Sequence, residues 1–151
     1  MTVTPTSTSN TAEGHNAVLS FDDLDVRFRT EFGTVHAVKG INLHVNPGEV
    51  VALVGESGSG KSVTATTALG LLPKNARIGG ATVVGGSSIG ELDGRQLRHV
   101  RGNKVAMVFQ EPMTALNPVL KIGDQLIEAM ELHGIAYGQD AWNNAIELLD
   151  A

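Results

Sequence analysis

Residues 55 to 62 read Gly-Glu-Ser-Gly-Ser-Gly-Lys-Ser, an order that suits the holding of phosphate groups. The pattern is G-x-x-x-x-G-K-[S/T], met at every fixed position. Gly58 and Gly60 let the backbone curve tightly enough for the N–H groups from about Gly58 to Val63 to converge on one concavity at a helix N-terminus. Such a concavity attracts phosphate anions through aligned peptide dipoles. Lys61 would set an ammonium beside the β and γ phosphates of a nucleotide, and the Ser62 hydroxyl is short enough to ligate Mg²⁺. Gly55, Glu56, Ser57 and Ser59 complete the segment lining the phosphates, although the Glu56 and Ser57 side chains are not required by this chemistry. An ordinary glycine-rich turn carrying a surface lysine is the bland alternative.

Flanking elements must aim such a loop. The uncharged run Val50 to Val54 predicts a parallel strand buried on both faces, and the residues after Lys61 predict a helix reaching Leu72, where Pro73 stops it. Upstream, Leu19, Phe21, Leu24, Val26 and Phe28 alternate with polar residues, as do those from Val35 to Val45. A β-hairpin is expected there, with Asn46-Pro47-Gly48-Glu49 turning into Val50. Ala81 to Val84 reads as a short strand among glycines and Asp93 to Arg101 as a small polar helix. Val105 to Phe109 is a second apolar run, expected to be a central strand ending at Gln110. Beyond Asn117-Pro118 the period becomes helical, first through Ile122, Leu126, Ile127 and Met130 to Gly134, then through Trp142, Ala145, Ile146 and Leu149. Residues 1 to 17 carry almost nothing to bury and read as a disordered tail.

Composition narrows the function. The chain has 151 residues, 42% hydrophobic, enough for a domain with a core. Its formal net charge of −5 gives no electrostatic reason to expect nucleic acid as a partner. Cysteine is absent, which excludes disulfides, thiolate metal sites and cysteine nucleophiles. The histidines at 15, 36, 44, 99 and 133 lack ligand-like spacing. No apolar stretch approaches the roughly 20 residues of a spanning helix. A cytoplasmic protein is the resulting expectation.

Two segments carry a family resemblance: Val54-Gly55-Glu56-Ser57-Gly58-Ser59-Gly60-Lys61-Ser62-Val63-Thr64 and Met107-Val108-Phe109-Gln110-Glu111-Pro112-Met113-Thr114-Ala115-Leu116-Asn117-Pro118. With these the chain resembles the ATP-binding subunits of ABC transporters, in particular the oligopeptide, dipeptide and nickel importer branch. The resemblance covers about Val18 to Ala151. It implies an α/β fold, a P-loop NTPase core of ABC type with an N-terminal antiparallel β subdomain and, from about residue 119, the start of a helical subdomain. It implies ATP and Mg²⁺ as cofactors, bound by Gly55 to Val63, with Lys61 acting on the phosphates. Gln110 corresponds to the family glutamine that reaches Mg²⁺ or the attacking water, and Ser62 is the other implied metal ligand. Phe28 resembles the aromatic residue that stacks on adenine, with Phe32 as a competitor and a plain core Phe as the alternative for either.

Implied partners are a second ATP-binding subunit, membrane permease subunits contacted through residues 111 to 118, and, indirectly, a solute-binding protein. The location implied is peripheral, on the cytoplasmic face of the plasma membrane. The family also uses a later Asp for Mg²⁺, an adjacent catalytic Glu, a switch His and a Leu-Ser-Gly-Gly-Gln signature, and none of these occurs in the 151 residues. The expectation is therefore an N-terminal portion of a longer subunit that binds Mg-ATP and, alone, barely hydrolyses it. A non-transport ABC protein is one alternative. A small-molecule kinase is another; it would need lid arginines, for which only Arg77, Arg95, Arg98 and Arg101 are available.

Overall fold

The computed structural model describes residues 16–109 and 116–151, which divide into two compact units, one ending at Val105 and one beginning at Ala106. The expected hairpin is present in the first unit as β1 (Leu19–Thr30) and β2 (Gly33–Val45), paired antiparallel. β3 (Ala76–Val84) runs antiparallel along the other edge of β1, and the two-residue β4 (Ser87–Ser88) follows it, giving the order β2-β1-β3-β4. β3 is longer than the Ala81 to Val84 segment expected. Its first residues include two glycines with little side chain to bury, and they are held by the β1 ladder from Phe28↔Ala76 onward.

Irregularities in β1 and β2 decide which side chains reach the core. Between the pairs Phe21↔Leu43 and Leu24↔Ile41, β1 advances by three residues and β2 by two, with Asp23 at φ 50°. Strict alternation would send Leu24 to the face opposite Phe21; the extra residue restores it to the same face. Phe21, Leu24 and Val26 are accordingly buried together, joined by Val38 from β2 and Val84 from β3.

Two helices cover that face. α1 (Lys61–Ala68) contributes Ala68 and α2 (Gly94–Asn103) contributes Val100 to the same cluster. α2 begins with a capping box: Asp93 Oδ1 accepts from the Arg95 and Gln96 amides, each at 2.8 Å, and Gln96 Oε1 accepts from the Asp93 amide at 2.9 Å. Its regular geometry stops at Arg101 (ψ 129°) and Gly102 (φ 82°). α1 is shorter than expected, because the chain turns at Gly70 (φ 60°) and does not continue to Pro73.

The second unit contains α3 (Ile122–Leu132) and α4 (Gly138–Asp150), as the periodicity predicts. α3 ends in a Schellman motif, the Ile135 amide donating to Met130 O at 2.9 Å and the Gly134 amide to Glu131 O at 3.1 Å. Met130, Ala141 and Ala145 form a small core. Gly123 lies so close to Trp142 that an added Cβ would sit 2.9 Å from the indole ring.

The two apolar runs expected as central strands differ from that expectation. Val50–Val54 and Val105–Phe109 form no strand; Val54 is 80% and Val108 97% exposed. The only pairing near either among the described residues is an isolated bridge between Arg101 and Val105. A strand requires at least one ladder neighbour, and beyond that bridge neither run has one among the described residues.

Leu24 is fully buried, so Leu24→Ala should lower stability by about 2–5 kcal/mol, the range for a core truncation. Asp93→Ala should cost about 1 kcal/mol through the lost cap. Urea denaturation followed by circular dichroism checks both the magnitudes and their order.

Candidate phosphate-binding site

The path into the site begins at the turn after β2. The Glu49 amide donates to Asn46 O at 3.0 Å, Glu49 Oε2 accepts from the Asn46 amide at 2.8 Å, and Gly48 takes φ 74°. The chain then runs through Val50–Val54 into the glycine-rich loop. The loop closes on itself, with the Ser59 amide donating to Glu56 O at 3.2 Å, and Gly60 ends it as the N-cap of α1 at φ 94°, ψ 0°. An L side chain at Gly60 would be strained by that φ and would also place its Cβ 2.5 Å from Ala37 O of β2. The loop and the hairpin therefore meet backbone to backbone.

At the start of α1 the amides of Lys61, Ser62 and Val63 lack intrahelical acceptors, and no side chain caps them. Nor does the first turn carry an acidic residue. The positive end of the helix dipole is thus left for an external anion. Lys61 arches back over the loop: Nζ donates to Gly55 O and Glu56 O, both at 2.7 Å, and to Ser59 Oγ at 3.3 Å. Glu56, which contributes no needed side chain, takes part through its carbonyl. Ser62 is exposed, while the Val63 side chain packs on the core and leaves its amide for the site. Deeper in α1, Thr64 and Thr67 are buried and satisfied by the Gly60 and Val63 carbonyls at 3.0 and 2.8 Å.

Beside the loop lies a cleft of about 270 Å³ lined by His36 to Lys39 and Ile41 of β2 and by Gly58 and Ser59. Of the two candidate stacking residues, Phe28 is partly buried against the core cluster, whereas Phe32 sits at the β1–β2 turn and is 98% exposed. Gln110 and the following residues to Ala115 lie outside the described residues. In the remainder of that segment, Asn117 and Gln125 clamp one another: the Asn117 amide donates to Gln125 Oε1 at 2.8 Å, and Gln125 Nε2 donates to Asn117 O at 3.0 Å.

Four side chains, Arg101, Asp25, Arg27 and His36, were given no part in the site by the sequence. Arg101 donates from Nε to Leu69 O at 2.7 Å and from Nη2 to Gly70 O at 2.9 Å, holding the carbonyls just beyond α1. Asp25 accepts from Arg27 Nε at 2.9 Å and pairs with His36 Nε2 across the hairpin. Partial desolvation raises the Asp25 pKa, but hydrogen bonds from His36 and Arg27, together with their charges, outweigh it and hold it below the ordinary value. Arg27 and Asp25 are spaced as neighbours on one strand face, which is the only signal the sequence carries for this group.

A family model described as ABC transporter matches residues 38–150, which span the loop and both units. The chain belongs to the ABC transporter family. Similar curated proteins include a probable peptide ABC transporter ATP-binding protein of Sinorhizobium fredii, 45% identical over 87% of this chain and 40% of that protein. The oligopeptide transport ATP-binding protein OppD of Escherichia coli is 41% identical, covering 100% of this chain and 45% of its own length. The chain thus spans less than half the length of these relatives. Among solved structures, the dimeric ATP-binding cassette MJ0796 in a post-hydrolysis state bound to ADP and Pi superposes with a TM-score of 0.70 at 23% identity. A second dimeric structure of the same cassette gives 0.73 at 24%; each comparison covers 87% of this chain and 56% of the other. At that identity the superposition shows the fold, an α/β ABC cassette, as the resemblance implied.

Gly60→Ala should abolish nucleotide binding while leaving the far-ultraviolet spectrum near that of the parent, because its Cβ would meet Ala37 O; calorimetric titration with ATP checks it. Asp25 has a folded-state pKa below its unfolded value, so its contribution to stability is present above the unfolded pKa and is lost as pH falls through the folded one. Acid titration of stability should therefore show a shallower loss in Asp25→Asn than in the parent.

Proposed function

We propose that this chain is an ATP-binding, energy-coupling component of a peptide-type ABC importer, gripping Mg-ATP through Gly55 to Val63. The observation that carries the reading is the uncapped N-terminus of α1 beneath an arched Lys61, fixed by the close approach of Gly60 to Ala37. In this arrangement Lys61 and the amides of residues 58 to 63 hold the phosphates. The exposed Ser62 hydroxyl would be one oxygen ligand of Mg²⁺, the others coming from phosphate and water. The metal would neutralise charge on the β and γ phosphates. Gln110 is assigned the second polar contact to metal or attacking water on the family resemblance alone. For adenine, the exposed Phe32 is favoured over Phe28, whose ring is already engaged in the core.

Peptide as the transported class rests on the names of the relatives, which include oligopeptide transport ATP-binding proteins of Salmonella typhimurium and Escherichia coli. The partners this implies are a second ATP-binding subunit, permease subunits meeting residues 111 to 118, and a solute-binding protein acting through them. No helix among the described residues is long and apolar enough to cross a membrane, which is consistent with peripheral attachment at the cytoplasmic face. Residues 18–151 are read as a portion of one ATP-binding domain, supported by a family match that runs unbroken through both units. The kinase reading loses ground because Arg101 is committed to the Leu69 and Gly70 carbonyls and is not free to serve a lid.

Calorimetric titration with Mg-ATP should show binding that Lys61→Ala weakens at least about tenfold, the loss expected for a charge-assisted contact. Absence of binding by the parent chain, or an unchanged affinity in the variant, would overturn the reading. With no Asp-Glu pair and no signature motif in its 151 residues, the chain should release phosphate at background rate in a turnover assay.

A further inference from the structure

Gly60 is seated against a single residue of irregular backbone. Between the ladder pairs Val26↔Val38 and Arg27↔His36, β1 advances one residue and β2 advances two, leaving Ala37 as the extra residue. Its carbonyl is the atom that stands 2.5 Å from where a Gly60 Cβ would be. Extra residues of this kind lose their ladder partner, so their direction is set by what holds the residues beside them. On one side Val38 is buried in the core. On the other, His36 reaches across to Asp25, and the same residue lines the cleft with Gly58 and Ser59. Arg27 also binds Asp25, but that contact stays within β1 and ties no strand to its neighbour.

We propose that His36, held by Asp25, is a positioning residue of the nucleotide cleft, bracing the Ala37 bulge that seats Gly60, so that nucleotide binding strengthens as His36 gains its proton. The inference rests on the proposed binding of Mg-ATP at Gly55 to Val63. Imidazole as a class changes charge between pH 5 and 8, and the protonated form adds an ion pair to the hydrogen bond with Asp25. The charged groups around it are few. Asp25 and Arg27 face it from β1, and Arg77 of β3 stands opposite Arg27 in the ladder. Lys39 lines the same cleft from β2, and the loop presents the uncharged Gly58 and Ser59. The one carboxylate facing His36 among these groups is Asp25. A proton on His36 also adds positive charge beside a site for a polyanion, which acts in the same direction.

The test measures Mg-ATP affinity by calorimetry from pH 5.5 to 8.0 for the parent, His36→Gln, Asp25→Asn and Lys61→Ala, with circular dichroism confirming the fold of each. ATP itself titrates in this range, so the informative quantity is the ratio of parent to variant affinity. The ratio to His36→Gln should rise about two- to fivefold on going from pH 8.0 to 5.5, the range of an exposed ion pair. Asp25→Asn should behave as His36→Gln does. A ratio to His36→Gln that is flat with pH, while Lys61→Ala still loses binding, overturns the positioning role and leaves nucleotide binding standing. If Asp25→Asn keeps the parent profile, His36 acts as a lone charge and the brace is overturned. If the parent binds no nucleotide at any pH, the underlying reading falls and this inference with it.

Discussion

The close approach of Gly60 to the Ala37 carbonyl is the constraint on which the phosphate site depends. It is a contact between two backbones, so no side chain can be traded for it. On one side it fixes where α1 begins and therefore where the amides of Lys61, Ser62 and Val63 are presented. On the other it is fixed by a hairpin whose register the core dictates, through Val26, Val38 and the bulges that keep Phe21, Leu24 and Val26 on one face. A one-residue slip in β2 would move the Ala37 carbonyl and the loop would lose its seat.

Features governed by local backbone chemistry were legible in the sequence. The loop glycines, the Pro47-Gly48 turn and Gly134 beyond α3 each have short-range causes, and each is found where expected. The hairpin was legible because half-buried strands alternate. What escaped depended on distant neighbours. Arg101 looked like one arginine among several in a polar helix, and nothing in the sequence places it 32 residues back against the Leu69 carbonyl. His36 looked like one of five scattered histidines, since its partner lies on another strand.

The runs Val50–Val54 and Val105–Phe109 show the same lesson from the opposite side. Their composition suits a buried parallel strand, yet a strand is a property of a pair. Without ladder neighbours no strand forms, and Val50, Val54 and Val108 stay exposed, while Val105 is held by its backbone bonds to Val100 and Gly102. The helix α1 ended early for a related reason: its period allowed continuation to Leu72, but the left-handed Gly70 and the grip of Arg101 on Leu69 and Gly70 set the stop. Composition states what a segment could bury, while its partners decide whether it does.

Lys61 spends its three ammonium protons on its own loop, at Gly55 O, Glu56 O and Ser59 Oγ. The loop is in consequence internally neutralised: a cation is already solvated by oxygens that would otherwise repel an incoming phosphate. Arrival of an anion is an exchange of acceptors, in which a loop carbonyl gives up a proton donor as a phosphate oxygen takes it. The affinity then measures a difference between two well-solvated states of one ammonium, which favours ligands that also occupy the helix amides over simple anions that meet the lysine alone.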